Sequence, residues 1–465
     1  MLNAKEENVT VKEIYRIKKG QILSGELVIP FNFGIVSSEE GILLIDFYIE
    51  EDFNLSVFND DKELKYWNKE YITKCITEEK NILEIDKLRF TNITPHLSKV
   101  KMVCYGKMKH TKAETHKEQI TDNNPKLHYL VLEGLKMEFS DITEKIRARG
   151  GKKLNDFNNW ERDHTTALLH SNKYPYNQVF YKDETSDNII VEFPNETNNT
   201  LSFQEFQELK KDYVAILSFL NGAEVGIRKE CTGSYYTVGK VDSEIVITYS
   251  FQKIKNRRFN SYIPLNNPFF RSENILNRFL MFNFDNYRDW NKKIDLNSIV
   301  FYLNNSEQTK SMQEKVFIQM IAFERLTTLY AKYLGDKEGF IPEKNKFEPI
   351  KEELINVIEK HKEKFGDAFN TVKSKIGNLN QIKRLSTTDK MYRILYECEI
   401  NIDSSIENLI DIVRHKTIHE GNIGGGKEAI KIFYLLDELL REIILKLVKY
   451  EGKRESRILL NHATH

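Results

Sequence analysis

The chain has few cysteines, no excess of either charge and no long apolar run. Four cysteines are scattered along its 465 residues without a Cys-x-x-Cys pair: Cys75, Cys104, Cys231 and Cys398. This spacing favours a reducing compartment and argues against both a disulfide framework and a thiolate zinc site. Lysine plus arginine equals aspartate plus glutamate at 69 residues each, so bulk charge does not hold the protein to nucleic acid or membrane.

The sequence also predicts no segment for membrane insertion or secretion. No run approaches the roughly 18 apolar residues that a membrane span needs, and the first 20 residues lack the apolar region of a signal peptide. Hydrophobic residues make up 40% of the chain, which is enough to build real cores. We therefore expect a soluble, cytoplasmic protein of two or three domains without a membrane partner.

The residue pattern changes along the chain and predicts an α+β multidomain fold. Short β-branched or aromatic segments separated by turn residues predict an antiparallel β-rich region; they are 22–36, 41–49, 128–139 and 188–193. We divide the chain into a β-rich domain (1–200), a mixed α/β extension (201–304), an all-α bundle (305–450) and a polar tail (451–465).

One helix of the middle region is marked at both ends. Ser202 and Glu205 form a capping-box pattern, and Asn221-Gly222 supplies the stop. Six apolar residues between them fall near one helical face: Phe206, Leu209, Tyr213, Ile216, Leu217 and Leu220. The following segment, 234–251, returns to strand character with a predicted turn at Lys240–Ser243.

Five later segments carry apolar residues at the three- and four-residue spacing of helices: 312–334, 348–365, 382–398, 403–420 and 427–450. A bundle of about 150 residues is long enough to fold alone.

Residues 414–428, RHKTIHEGNIGGGKE, fit two incompatible patterns. In the first, Gly421, Gly426 and Lys427 match most of a phosphate-binding loop, but Glu428 stands where Ser or Thr should reach magnesium. The match also follows a helical pattern rather than a strand. We therefore interpret it as a flexible connection between two helices.

In the second pattern, Arg414, His415 and His419 fall within about one and a half helical turns. The two histidines are four residues apart and so share one face of the helix. Near a helix C-terminus the dipole favours an imidazolium by a few tenths to about 1 kcal/mol. A cationic cluster of this kind is suited to a phosphodiester.

The segment Arg414-His415-Lys416-Thr417-Ile418-His419 resembles the Arg-x4-6-His motif of HEPN ribonucleases. As in that family, it comes late in the penultimate helix of a bundle and precedes a glycine-rich loop and a long final helix. The β-rich region ahead of the bundle is similar to the arrangement in ApeA-like anti-phage proteins. The helix that contains Glu324 resembles the opening helix of their C-terminal domain.

This resemblance implies a metal-independent endoribonuclease that needs no cofactor. The ribose 2′-OH attacks the adjacent phosphate and leaves a cyclic phosphate and a 5′-hydroxyl. His419 is then the acid/base, because imidazole titrates near neutrality, and Arg414 is the phosphate clamp. His415 has an accessory role that orients the phosphate or His419.

The resemblance also implies partners and a biological role. Two such motifs usually face one another across a dimer, so one motif per chain implies a homodimer or a higher oligomer. The protein would be an anti-phage abortive-infection effector that cuts RNA. Its N-terminal region would sense or regulate, with a phage-encoded protein as one kind of trigger.

Other interpretations of the motif remain open. In one, His419 caps its helix while Arg414 pairs with Glu324 or Asp411. In another, His415 and His419 bind a metal with Glu420, although no third ligand appears at a recognisable spacing. A third has a non-catalytic HEPN-like module that binds nucleic acid or a protein.

Two further segments have patterns of lower weight. Arg89 and His96 form a second Arg-x6-His match, in a strand-and-turn segment that contains Pro95. Residues 253–262 mix cations and aromatics as RNA-binding surfaces do, although a solvated strand end or turn explains them more simply.

Overall fold

In the computed structural model, the residues that the structure describes are 12–25, 27–39, 42–50, 53, 69–94, 97–113, 127–135, 164–170, 175–182, 188–194, 201–236, 240–249, 272–334, 344–377, 386–412 and 426–452. The chain is a mixed α+β protein with an antiparallel β-rich N-terminal region and a helical C-terminal region, as the sequence predicts. It separates into two units. The first, here the β unit, holds residues 1–259 and 265–282; the second, the helical unit, holds 260–264 and 283–465.

Six antiparallel strands of the β unit close into a barrel: β1 (Lys12–Ser24), β2 (Leu27–Glu39), β3 (Ile42–Ile49), β4 (Tyr71–Thr77), β5 (Ile82–Thr94) and β6 (Lys99–Cys104). Strand β1 pairs with β2 and β4, β3 pairs with β2 and β6, and β5 pairs with β4 and β6. Each strand therefore has two hydrogen-bonded neighbours and the ladder has no open edge.

Alternation of side chains along the strands fills the barrel interior. In β4, residues Tyr71, Thr73, Cys75 and Thr77 are buried, and the residues between them are exposed. The rings of Phe31 and Phe47 lie 4.7 Å apart in the barrel core. Buried residues from all six strands join that core, among them Ile22, Val36, Ile45, Leu83, Leu88 and Met102.

Beyond the barrel the same hydrogen-bonded sheet continues through β7 (Lys107–Ala113), and this extension is here called the second sheet. Residues 88–94 of β5 pair with β6 and residues 82–85 pair with β7, so β6 and β7 lie end to end along β5. At the corner between them, Asp86 Oδ1 accepts the Lys107 N–H at 2.7 Å. A Cβ at Gly106 would overlap that carboxylate, which explains the glycine.

The second sheet has the strand order β7-β13-β12-β8-β11-β10-β9 and is antiparallel throughout. Its remaining strands are β8 (Leu127–Glu133), β9 (His164–His170), β10 (Pro175–Lys182), β11 (Ile189–Pro194), β12 (Gly226–Tyr236) and β13 (Lys240–Tyr249). Helix α2 (Ser272–Phe282) lies against β9.

Helix α1 (Phe203–Asn221) packs on this sheet and confirms the helix predicted there. Ser202 and Glu205 form the capping box, and Gly222 ends the helix in the left-handed region at φ 65°. All six residues of the predicted apolar face are buried. The Phe206 ring stacks on His128 of β8 at 4.4 Å, and Phe193 of β11 meets it edge-on at 5.6 Å.

Two details of the predicted strands are wrong. Residues 22–36 were expected to form one segment, but Gly25 turns the chain between β1 and β2. A turn was expected at Lys240–Ser243, but these residues lie in β13 and pair with Ser234–Tyr236 of β12. Pairing with the neighbouring strand outweighs the turn preference of Asp242 and Ser243.

The helical unit contains nine described helices: α3 (Phe284–Ile294), α4 (Leu296–Gln308), α5 (Met312–Tyr333), α6 (Lys344–Lys360), α7 (Lys362–Phe365), α8 (Phe369–Gly377), α9 (Thr387–Glu397), α10 (Ser404–Ile412) and α11 (Gly426–Leu447). A 3-10 turn, Gly366–Ala368, joins α7 to α8. Helix α5 packs against α3, α4, α9 and α11, α10 packs on α11, and α6 packs on α8.

A boundary between the two units falls between residues 282 and 283, whereas the sequence predicts the start of the all-α bundle at residue 305. Position 304 lies inside α4. Helices α3 and α4 both pack on α5, so they share the core of the helical unit.

No helix in the described part of the chain is both long enough and apolar enough to cross a membrane.

Candidate functional site

Two packed helices flank the predicted catalytic segment in the chain. Helix α10 begins after Asp403, whose Oδ1 accepts the N–H groups of Ser405 and Ile406, each at 3.0 Å. Such a side chain satisfies N–H groups that have no partner within the helix. Leu409 and Ile410 of α10 are buried, and the helix packs on α11.

The predicted site residues Arg414, His415 and His419 lie outside the described residues, as does Glu420. The described part of α10 ends at Ile412 and α11 begins at Gly426. The structure thus places the helices on either side of the motif in the chain. The interpretations in which Arg414 pairs with Glu324 or Asp411, or in which the histidines bind a metal, stay predictions.

Within the described residues, the phosphate-loop pattern lies between two helices. Gly426, Lys427 and Glu428 are exposed in the first turn of α11. The described element that precedes them is α10, a helix, whereas a phosphate-binding loop follows a β-strand. Glu428 in the first turn is instead favourable to the helix dipole.

Ionisable residues on α5, α9 and α10 of the bundle have distinct surroundings. Glu324 is half-buried on α5, and no ion pair to its carboxylate is found within the described ranges. Tyr392 on α9 has its pKa raised by burial, and then by the negative charges of Glu407 and Asp411 on α10. The exposed Asp411 therefore lies near Tyr392, at the end of α10 that leads into the motif.

A polar network fixes α11 to α5 and α4 in the core of the helical unit. Arg441 Nε lies 3.0 Å from Asp437 Oδ2, and both side chains are fully buried. Gln319 Nε2 of α5 donates to Asp437 Oδ1 at 3.2 Å and to Ser306 Oγ of α4 at 3.3 Å. Because a buried charge needs a partner in good geometry, this network sets the position of α11 along α5.

A second buried ion pair lies close to that network. Lys315 Nζ of α5 is 3.6 Å from the Glu307 carboxylate and donates to the Glu307 carbonyl oxygen at 3.1 Å. The ammonium also lies 5.2 Å from the centre of the Phe433 ring of α11. These charges are closed off from solvent, so we assign them a structural role rather than contact with a substrate.

Aromatic and basic residues of α3 and α5 form an aromatic-lysine cluster, which consists of Trp290, Lys293, Tyr330 and Tyr333. Trp290 stacks on Tyr330 at 5.8 Å between ring centres and meets Tyr333 edge-on at 5.4 Å. The Lys293 ammonium lies 4.7 Å from the Trp290 ring centre and 5.1 Å from that of Tyr333. No local sequence pattern indicates this group, because its members come from two distant segments.

His128 is a buried ionisable group of the β unit with a hydrogen bond at each ring nitrogen. Its Nε2 donates to the Leu201 carbonyl oxygen at 2.6 Å, so Nδ1 is the acceptor for the Thr232 hydroxyl at 2.8 Å. Burial lowers the pKa of His128 to about 4, although the bond to Leu201 opposes that shift. The ring is therefore neutral at physiological pH and joins β8 to the start of α1 and to β12.

Lys210 of α1 is buried against the second sheet. Its ammonium donates to Glu230 and Gln207, and to the Tyr249 hydroxyl at 3.2 Å. Burial lowers the pKa of Lys210, and the charge of Glu230 acts in the opposite direction. Because every one of these polar contacts is internal, we interpret the group as an anchor of α1 rather than as a reactive centre.

The cysteines offer no reactive centre either. All four are free and buried, and burial raises the pKa of both Cys75 and Cys398 to about 12. Thiols of this kind stay protonated and are poor nucleophiles. Within the ranges that the structure describes, no group of three His, Cys, Asp or Glu side chains is placed to hold a metal ion.

No protein-family model matches the chain, and neither a curated protein nor a solved structure does. Its function is therefore inferred from its own residues and their packing.

Proposed function

We propose that the protein is a cytoplasmic, metal-independent endoribonuclease of the HEPN type that acts as an anti-phage abortive-infection effector. Arg414 and His419 are its catalytic residues and His415 is accessory. The position of the motif supports this most. The described part of helix α10 ends two residues before Arg414, and that of α11 begins seven residues after His419, in a helical unit that has its own buried core.

The chemistry requires a base, an acid and a cation. A base removes the proton of the ribose 2′-OH, and the 2′-oxygen bonds to phosphorus. The bond from phosphorus to the 5′-oxygen breaks, and an acid protonates that oxygen. The products are a cyclic phosphate and a 5′-hydroxyl. His419 carries out proton transfer near neutral pH, while the Arg414 guanidinium holds two phosphate oxygens.

One motif supplies one imidazole for these two proton transfers, apart from the accessory His415. The proposal therefore includes a homodimer or a higher oligomer in which two motifs share one site. The β unit, with its separate barrel core, is proposed to sense or regulate, and a phage protein is one trigger. Specific activity should fall when the protein is diluted until it dissociates, and sedimentation at the same concentrations should report the change in mass.

Replacement of the catalytic residues tests the proposal. Arg414→Ala and His419→Ala, singly and together, should lower cleavage of end-labelled RNA by at least about a hundredfold. The products should carry 5′-hydroxyl ends, and cleavage should survive EDTA. Circular dichroism should show that the variants remain folded. Undiminished cleavage by the folded double variant excludes the proposed site.

Two controls use features of the same chain. Arg89→Ala with His96→Ala removes the second Arg-x6-His match, which contains the exposed strand residue Arg89, and should leave cleavage unchanged. Lys427→Ala tests the phosphate-loop pattern and should also have no effect. A native protein that binds RNA without cutting it, under conditions that keep it oligomeric, supports the non-catalytic module instead.

A further inference from the structure

The aromatic-lysine cluster has the composition and geometry of a binding site for a single nucleic-acid strand. We propose that a base of single-stranded RNA stacks on the exposed Tyr333 ring with its edge against Trp290, while Lys293 binds an adjoining phosphate. Only the choice of RNA over DNA rests on the proposed ribonuclease function.

The two rings form a corner in which a flat base can stack on one ring and meet the other with its edge. The planes of Trp290 and Tyr333 are 71° apart, and the Lys293 ammonium lies over both faces. An ammonium in this position gains from both ring quadrupoles. It is also carried on a long flexible side chain, so it can leave the corner when a base enters and follow the phosphate that comes with that base.

The corner is open to solvent on one side and supported on the other. Tyr333 is 43% exposed, and Lys293 is exposed on the last turn of α3. Behind them Tyr330 is only 6% exposed and stacks on Trp290. The indole is therefore held by packing, which reduces the conformational entropy that ligand binding would otherwise have to offset.

The charges near the rings favour a polyanion. Lys292 and Lys332 are both exposed and adjoin the cluster residues along α3 and α5. The exposed Asp289 is an acidic neighbour on α3. On α9, the charges of Glu397 and Arg393 act on Tyr330 in opposite directions, with Glu397 the stronger of the two. An excess of lysines remains around the ring faces.

Base faces distinguish a single strand from other anions. An acidic peptide would pair with the lysines but would not use the exposed face of the Tyr333 ring. The bases of a duplex are stacked on one another, whereas those of a single strand are free to stack on aromatic side chains. The combination of ring faces and cations therefore points to a single strand.

Binding of an oligouridylate with 2′-O-methyl groups, which cannot undergo 2′-OH attack, measures this site independently of cleavage. Fluorescence anisotropy should show that Tyr333→Ala weakens binding by about 5- to 150-fold, the range for loss of one stacked base. Tyr333→Phe keeps the ring and should bind like the native protein. Phe317→Ala is a matched control, because Phe317 is a 49% exposed aromatic residue of the same helix.

Lys293→Ala separates a phosphate contact from a purely structural lysine. Loss of one phosphate contact should reduce the slope of log affinity against log salt by about 0.7. Equal affinity of native protein and Tyr333→Ala, or equal binding of duplex RNA and of single strands, would overturn the proposal. So would displacement of the oligonucleotide by polyglutamate. Tighter binding of the RNA strand than of oligothymidylate supports RNA as the ligand, while equal binding supports base stacking without recognition of the sugar.

Discussion

Mildly acidic pH should destabilise the second sheet of the β unit, because His128 binds a proton more readily in the unfolded chain than in the folded protein. The ring is buried, Nε2 donates to Leu201 and Nδ1 accepts from Thr232. A proton on Nδ1 would remove its acceptor and place an unpaired charge in the interior. We propose His128→Gln as the perturbation, because an amide can both donate and accept but does not titrate in this range.

The direction in which stability changes with pH follows from which state, folded or unfolded, binds the His128 proton more tightly. The folded state lowers the His128 pKa from 6.5 to about 4, so the unfolded chain takes up the proton first as the pH falls. The free energy of unfolding should therefore decrease below about pH 6.5 and level off near pH 4. One pKa unit corresponds to about 1.4 kcal/mol, which gives a loss of about 2 kcal/mol between pH 7 and pH 5.

Thiol labelling in urea reads this part of the fold selectively. Cys231 is buried in β12 and pairs with Tyr129, the neighbour of His128 in β8. A dipyridyl disulfide reacts with thiols in acid, and mass spectrometry assigns each labelled cysteine. The urea midpoint for Cys231 should fall with pH more steeply in the native protein than in His128→Gln. Cys398 of the helical unit is the internal control and should show no difference between the two.

The test compares the free energy of unfolding of the native protein with that of His128→Gln, because all other titrating groups are common to both. His128→Gln will lower stability at neutral pH as well, since its geometry differs from that of the ring. That loss should not vary with pH. If the difference in unfolding free energy is the same at pH 7 and pH 5, to well within about 2 kcal/mol, the buried neutral imidazole is not the cause of acid sensitivity.

Three other changes test the packing by urea unfolding or thermal melting. Arg441→Met should cost about 3–5 kcal/mol because it leaves the Asp437 charge buried; adding Asp437→Leu should restore most of it, and a stable single variant would contradict this account. Gly106→Ala should lower stability by about 1–3 kcal/mol through overlap with Asp86, and an unchanged melting temperature would show that the corner can relax. Glu399→Gly should raise stability by up to about 1 kcal/mol, because Glu399 has φ 52°; a lower melting temperature would mean that chain entropy outweighs the relieved strain.

The elements that the sequence predicts best are those whose signals are local. Helix α1 has its capping box, its stop and its apolar face within about twenty residues, and all three are present in the structure. Long helices such as α5 and α11 were predicted to within a few residues at each end, because their apolar spacing runs over six turns.

Features that depend on distant contacts were not predictable in the same way. Closure of the barrel depends on pairing of β1 with β4 and of β4 with β5, which no local pattern reports. Helices α3 and α4 were missed because α3, FDNYRDWNKKI, is mostly polar and buries only a few residues. The aromatic-lysine cluster needs Trp290 and Tyr333 together, and only packing of α3 on α5 brings these two residues into contact.

The candidate catalytic residues are the opposite case. Arg414 and His419 are close in the sequence, so their pattern was visible without a fold. A single sequence does not show how the motif of one chain lies relative to the motif of a second chain, and the proposed chemistry depends on that arrangement. The helices α10 and α11 give the setting of the motif in the chain, and the variants described above test its activity directly.

The pairing of β7 with β13 has a consequence for synthesis on the ribosome. All six barrel strands are complete by Cys104, but β7, which ends at Ala113, pairs with a strand that ends at Tyr249. Translation at about 5–20 residues per second leaves this edge waiting on the order of ten seconds. During that time it is an unpaired strand edge open to other chains. A nascent chain that stalls in this interval is thus the form of the protein most in need of a chaperone.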